Sequence, residues 1–288
     1  MRIAAQLRQH GLIRSQDIFE ALHLIKGGTL KAGVYRFDHP AKMQEVFQRI
    51  QRGDVYTVTV TIPEGSNLFD IAQKLETAHF GAKEQFLAAA KARVGLIADI
   101  DPGAPSLEGY LFPDTYRLSP KATNEQILTG MVKRFRMAAA ELGLQNNYHR
   151  VVTMASMVER ETPIGTERPL VASVFENRLG KDMPLMTDPS VIYAALLDGR
   201  YRGTIYASDL GAASPYNTYR HAGLPPGPIC NPGMASLRAA MNPAQTNYLY
   251  FVAASANPSG VSKFEATLAD HAHDVQEYRK AVRAASAR

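Results

Sequence analysis

Residues 99–106 read Asp-Ile-Asp-Pro-Gly-Ala-Pro-Ser, and two prolines with a glycine in eight residues cannot lie inside a regular helix or strand. This break predicts two parts, a small module over residues 1–100 and a larger one over 105–288. The 288-residue chain is 45% hydrophobic and 20% charged, the balance of an ordinary globular protein rather than a disordered or membrane-bundle one. The sequence has no run of roughly 18 to 20 apolar residues, and its start lacks a secretory hydrophobic core. Its net charge of +5 suits an anionic polymer or membrane, and the single Cys230 leaves the redox compartment open.

In the first part, apolar spacing predicts two short helices within 2–25, a strand over Leu30–Phe37 and an amphipathic helix over Met43–Ile50. A second strand over Tyr56–Ile62 leads into the turn Pro63-Glu64-Gly65-Ser66. A weak internal repeat pairs Arg2–Leu7 and Phe19 with Asp70–Leu75 and Phe86. The first copy lacks the strand lead-in of the second, which reads as a truncated first unit. Beyond the break come expected helices at about 123–142, 147–161, 167–179, 189–197 and 237–241, a strand at 248–253 and a closing helix at 267–282. The expected class is α+β, a small α+β module followed by a mixed, mostly helical domain with a few short strands.

Glu159 and Glu161 end the helix stopped by Thr162-Pro163. Carboxylates are disfavoured at a helix C-terminus, and at 100° per residue these two fall on opposite flanks of the Val151, Met154, Ala155, Val158 stripe. Behind Glu159 lie the small Ala155 and Ser156, which leave room for a ligand; behind Glu161 lie Met157 and Val158. A carboxyl partly desolvated by an apolar stripe holds a proton, as a general acid must, and Glu159 is the expected acid. The bland alternative is that both glutamates are solvated or pair with Arg160 or Arg168.

Glu108 and Asp114 flank an apolar, turn-rich segment, where buried acids usually bind backbone amides or a base. Asp188, before Pro189, is expected as a helix N-cap. The stretch 211–233, rich in Gly and Pro and carrying Tyr216, Asn217 and Tyr219, reads either as the wall of a sugar-binding groove or as a rigid loop packed on its own domain. His271 and His273 are two apart and point to different helix faces, so no metal is expected. No cofactor motif or nucleic-acid module appears.

Leu107–Tyr116, Ala155–Glu161, Thr187-Asp188-Pro189, Tyr216–Tyr219 and Gly223–Ile229, in this order, resemble the YceG-like endolytic murein transglycosylases, the MltG family. The resemblance covers about residues 30–280 and implies a LysM-like, peptidoglycan-binding N-terminal module. It further implies non-hydrolytic cleavage of the MurNAc–GlcNAc β-1,4 bond within glycan strands, leaving 1,6-anhydro-MurNAc ends and terminating nascent chains. By the same likeness Glu159 is catalytic, Glu108, Asn217 and Tyr219 orient Glu159 or grip the N-acetyl sugars, and Tyr110, Asp188 and Tyr216 also contact the substrate. No cofactor is implied. The expected partners are peptidoglycan strands and a peptidoglycan synthase, not nucleic acid. The expected location is the bacterial inner membrane, through a single N-terminal helix absent from this chain, with the catalytic part in the periplasm. Where relatives tend to carry a histidine before the phenylalanine near 264, this chain has Val261-Ser262-Lys263-Phe264. A hydrolytic muramidase recruiting Asp188 or Glu108 as a second carboxylate, and a non-catalytic wall-binding protein, are the alternatives.

Overall fold

A computed structural model describes residues 2–255, 257 and 260–286. The chain forms two compact units, one of residues 1–60 and 115–123, the other of 61–114 and 124–288.

In the first unit, α1 (Arg2–Gln9) and α2 (Gln16–Lys26) are separated by a turn at Gly11, whose φ of 70° suits glycine. Ser15 caps α2, its hydroxyl accepting from the Ile18 N–H. Helix α3 (Met43–Arg52) stops at Gly53 in the left-handed conformation. Ala4, Leu7, Phe19, Val46, Phe47 and Ile50 form the core, with Phe19 edge-on to Phe47 at 5.6 Å. Strand β1 (Val58–Thr61) pairs with β2 (Thr115–Leu118). The strand expected at 30–37 does not form. Its backbone is tied at single points, Lys31 N–H to the Ile50 carbonyl and the Val34 carbonyl to Tyr56 N–H, with no neighbouring strand to make a ladder.

The second unit opens on the expected 63–66 turn and then α4 (Leu68–Thr77), started by a reciprocal capping box between Asn67 and Asp70. After it come α5 (Lys83–Ala92), a 3-10 turn over Val94–Ile97, α6 (Asn124–Leu142), α7 (Tyr148–Glu161), α8 (Arg168–Leu179) and α9 (Asp188–Leu197). The rest is α10 (Ala207–Leu210), α11 (Met234–Met241), β3 (Tyr250–Ala253), β4 (Ser262–Glu265) and α12 (Leu268–Ser286). Strands β3 and β4 are antiparallel, with Phe251 opposite Phe264. Every residue from Val152 to Val158 is buried, so α7 is the central helix, packed by α8, α9 and α11.

The Pro-Gly break is a turn inside this unit rather than a division between parts. Ile97, Leu107, Tyr110 and Leu111 on either side of it are fully buried, and apolar packing on both flanks keeps 61–114 with the helices that follow. The repeat appears as one helix pair in each unit. Ala4, Leu7 and Phe19 are buried in α1 and α2, as are Ala72, Leu75 and Phe86 in α4 and α5. The architecture is mixed α+β and mostly helical. Among the described residues, no helix is long and apolar enough to cross a membrane.

Candidate active site

The end of α7 brings the two glutamates to opposite sides, as their spacing requires. The Glu159 side chain is only 5% exposed, and both its oxygens are occupied. Arg168 Nη2 donates to Oε1 at 2.8 Å, and the Gly233 N–H donates to Oε2 at 2.9 Å. Gly233 is the N-cap of α11, so the Glu159 charge also meets the positive end of that helix. Glu159 thereby ties α7, α8 and α11 together. Glu64, with a 49% exposed side chain, approaches the same arginine at 3.8 Å. Burial and the neighbouring Glu159 push the Glu64 carboxyl above its ordinary range, against the pull of Arg168. Glu64, Glu159, Arg160, Thr162 and Arg168 line an open cavity of about 350 Å³.

Glu161 differs from Glu159 in each respect. It is half-buried and, among the described residues, its carboxyl accepts no hydrogen bond. Burial pushes it up to about 7, with the Asp188 carboxylate adding to the rise and Arg178 and Arg160 opposing it. The apolar turn behind it, Met157 and Val158, is fully buried and supplies that desolvation. Asp188 is exposed and accepts from the Tyr219 hydroxyl at 2.7 Å. Burial and Asp188 raise that hydroxyl. Arg178 donates to the carbonyls of Pro184, Leu185 and Leu249, and its guanidinium lies over the Tyr250 ring at 5.3 Å. It fixes the segment leading into Asp188 while its charge faces Glu161.

The expectation that Glu159 is a free, proton-bearing acid therefore meets an obstacle. A buried guanidinium and a peptide N–H each donate to one of its oxygens, so the group is held from two sides rather than standing free. Glu161 is the one of the two whose carboxyl accepts no hydrogen bond among the described residues.

Four expected substrate contacts are internal. Glu108 is fully buried, accepting from Leu68 N–H at 2.9 Å, from Asn231 Nδ2 at 2.8 Å and from the Tyr193 hydroxyl. Burial still pushes it up to about 8, with the Leu68 N–H pulling the other way. Tyr110 is fully buried, its hydroxyl donating to Asp101. Tyr216 is 8% exposed, packed edge-on against Tyr193 at 5.1 Å. Asn217 is fully buried, its amide donating to the carbonyls of Asp209, Leu210 and Ala212 while its oxygen accepts from Tyr219 N–H. Glu108, Tyr110 and Asn217 spend their polar atoms on internal partners and Tyr216 packs its ring on Tyr193, so these four shape the loops behind the site. Of the expected contacts, Asp188 and Tyr219 remain beside an unpaired acid. Thr187, not Asp188, is the N-cap of α9, and Asp188 is its first residue.

Sequence reasoning passed over Arg178, Glu64 and Asn231. Asn231 is fully buried: its amide donates to the Ser66 carbonyl and Glu108, and its oxygen accepts from Leu111 N–H. An asparagine inside the run Cys230-Asn231-Pro232-Gly233 was the available signal, since a buried polar side chain among turn residues must satisfy backbone groups. Ser156 continues the same zipper, accepting from Ile229 N–H at 3.0 Å.

The sequence profile of the YceG-like family matches residues 1–277. The chain belongs to this family. A Bacillus subtilis (strain 168) protein named endolytic murein transglycosylase is 34% identical over 298 residues, spanning 96% of this chain and 81% of its own length. A protein of the same name from Streptococcus pneumoniae R6 is 32% identical over 287 residues; the match takes in 87% of this chain and 52% of the pneumococcal protein. A crystal structure of a YceG-like protein from Listeria monocytogenes superposes with a TM-score of 0.63 at 33% identity, over 94% of both chains. The mixed α+β fold is thus that of a YceG-like protein.

Proposed function

We propose that this YceG-like chain is an endolytic murein transglycosylase, cleaving the MurNAc–GlcNAc β-1,4 bond within peptidoglycan strands and so ending nascent chains. The observation that carries the chemistry is Glu161, an unpaired, desolvated carboxyl raised to about 7 beside Asp188, Tyr219 and Arg178. Protonated Glu161 gives its proton to the glycosidic oxygen as the bond from C1 breaks. The carboxylate then takes the proton of the sugar's own 6-hydroxyl as O6 bonds to C1, closing the 1,6-anhydro ring and restoring the acid. One carboxyl serves both halves, because the intramolecular hydroxyl stands where a hydrolase would need an activated water. Asp188, held by Tyr219, is a positioning residue whose charge adds to burial in raising Glu161. Synthases as partners, a membrane anchor upstream of this chain, a periplasmic catalytic part and a LysM-like role for the repeat complete the reading.

Two rivals each have one observation in favour. Hydrolysis gains from Asp188, an exposed second carboxylate close enough to raise Glu161; Glu108 is buried and spent internally. Glu159 as the acid gains from its place on the cavity wall. Mass spectrometry of digested peptidoglycan separates the first: 1,6-anhydro-MurNAc ends are expected, and reducing MurNAc ends would reject the non-hydrolytic route. Activity of the Glu159→Gln and Glu161→Gln variants separates the second.

A further inference from the structure

The segment that brings Asp188 beside Glu161 alternates in burial. Leu185 and Thr187 are 1% and 4% exposed, while Met186 between them is 49% exposed and Asp188 is exposed. Thr187 has extended backbone and turns inward, so Met186 and Asp188 on either side of it face outward together. Met186 itself sits at φ 53°, the left-handed region that a long side chain seldom adopts. A glycine or an asparagine would make this bend with less strain, and a methionine needed for the core would be buried. Neither the bend nor the core accounts for a methionine at this position.

The position is held from both sides. The Met186 N–H donates to the Thr218 carbonyl at 3.1 Å, and the Thr187 N–H donates to Thr218 Oγ1 at 3.0 Å. Tyr219, the next residue, donates its hydroxyl to Asp188. Arg178, whose charge faces Glu161, donates at 2.8 Å to the Leu185 carbonyl, which belongs to the peptide bond entering Met186. Met186 is therefore tied to the two groups, Arg178 and Asp188, that act on the Glu161 charge. Backbone kept in a sparsely populated conformation by its surroundings concentrates at sites that bind and react. Beside the oxygens of Asp188, Tyr219 and Glu161, the flexible thioether chain of Met186 is an apolar surface.

We propose that Met186 is a specificity-determining residue, its exposed side chain packing on the acetamido methyl group of the amino sugar held at Glu161. Both sugars of the strand carry that group. The flat face of a pyranose suits the ring of half-buried Tyr219, and a methyl group suits a flexible chain. The assignment rests on the transglycosylase reading and adds to it the group by which the sugar is selected.

Glycan strands are prepared with their native N-acetyl groups and with N-formyl groups, which remove the methyl and keep the amide. The intact chain and its Met186→Gly variant are compared on both. Glycine takes a φ of 53° without strain, so the melting temperature is expected to hold or rise. The parent is expected to cleave acetylated strands about fourfold better in kcat/KM than formylated ones, the effect of burying one methyl group. Met186→Gly is expected to lose about fourfold on acetylated strands through a raised KM, with kcat within about twofold, and to stay within about twofold of the parent on formylated strands. An unchanged KM on acetylated strands, or an equal loss on both kinds, overturns the proposal. Retention of both proteins on immobilised strands on ice gives the same preference as a binding ratio. A chain that forms no anhydro product, which rejects the transglycosylase reading, therefore still decides the role of Met186: equal acetyl-to-formyl binding ratios in parent and variant overturn it, and a ratio that falls to about one in the variant alone supports it.

Discussion

Glu159→Gln separates a structural from a catalytic role for the first glutamate. In the parent, side chains 5% and 9% exposed form the Glu159–Arg168 pair at 2.8 Å, with the Gly233 N–H closing the second oxygen at 2.9 Å. Removing one member of a buried ion pair costs about 3–5 kcal/mol, because the other charge is left without compensation. Two features modify that figure here. Glu64, 3.8 Å from the same guanidinium nitrogen, remains to offset part of the charge. Against this, glutamine has one acceptor for two donors, so its amide N–H₂ must face either Arg168 or Gly233. The net expectation is about 3 kcal/mol, which in a chain of this size lowers the melting temperature by roughly 6–12 °C. Circular dichroism melting gives the stability, and glycan-strand cleavage well below both transitions gives the activity per folded molecule. The variant should melt early and still cleave within about threefold of the parent rate, an effect too small for loss of a general acid. A variant that melts with the parent and yields no product would refute the argument, since Glu159 would then act on the bond and not on the fold.

The remaining predictions concern the same end of the molecule. A Cβ on Gly233 would fall 1.8 Å from Glu64 Oε1, so Gly233→Ala should cost about 1–3 kcal/mol, and adding Glu64→Ala should recover most of it in a double-mutant cycle. Asn231→Ala removes bonds to Ser66, Leu111 and Glu108 at once and should cost about 3 kcal/mol or more by denaturant melts, with the 227–233 loop losing hydrogen-exchange protection. An acid raised to about 7 must be protonated to act, so kcat/KM should fall as pH rises through about 7; Asp188→Asn, which removes the nearby negative charge, should move that falling limb to lower pH. A limb that stays in place in Asp188→Asn would show that Asp188 does not set the proton affinity of Glu161.

Much of this site is legible one residue at a time. The Thr162-Pro163 stop, the opposite flanks of Glu159 and Glu161, and the burial of Phe19 and Phe86 at matching repeat positions follow from periodicity and proline geometry. The pairing of Glu159 does not. It depends on Arg168, nine residues on, and on Gly233, both brought to Glu159 by tertiary packing that helical spacing does not encode. The 227–233 loop packs behind Glu159, where Ser156 and Glu159 hold Ile229 and Gly233, while Glu159 also stands on the wall of the open cavity. Tyr216 and Asn217 read as sugar-binding groups because aromatic rings and amides suit sugars. The same chemistry suits a buried loop whose carbonyls need donors, and only burial distinguishes the two uses. The Pro-Gly break at 99–106 was legible as a turn but not as an internal one, since its meaning depends on whether the apolar residues on both sides reach one core.

The most direct measurement is the product yield of Glu161→Gln on glycan strands, followed by mass spectrometry beside its melting curve. Loss of 1,6-anhydro-MurNAc formation by about 10²–10⁴-fold is expected, in a protein as stable as the parent at acidic pH. Above about pH 7 it should be more stable, by on the order of 2 kcal/mol. The sign follows from Glu161 being raised to about 7: the unfolded chain ionises first, so the parent loses stability as pH climbs from the ordinary glutamate range to about 7, and glutamine does not. Undiminished anhydro product from a folded Glu161→Gln protein would contradict the account.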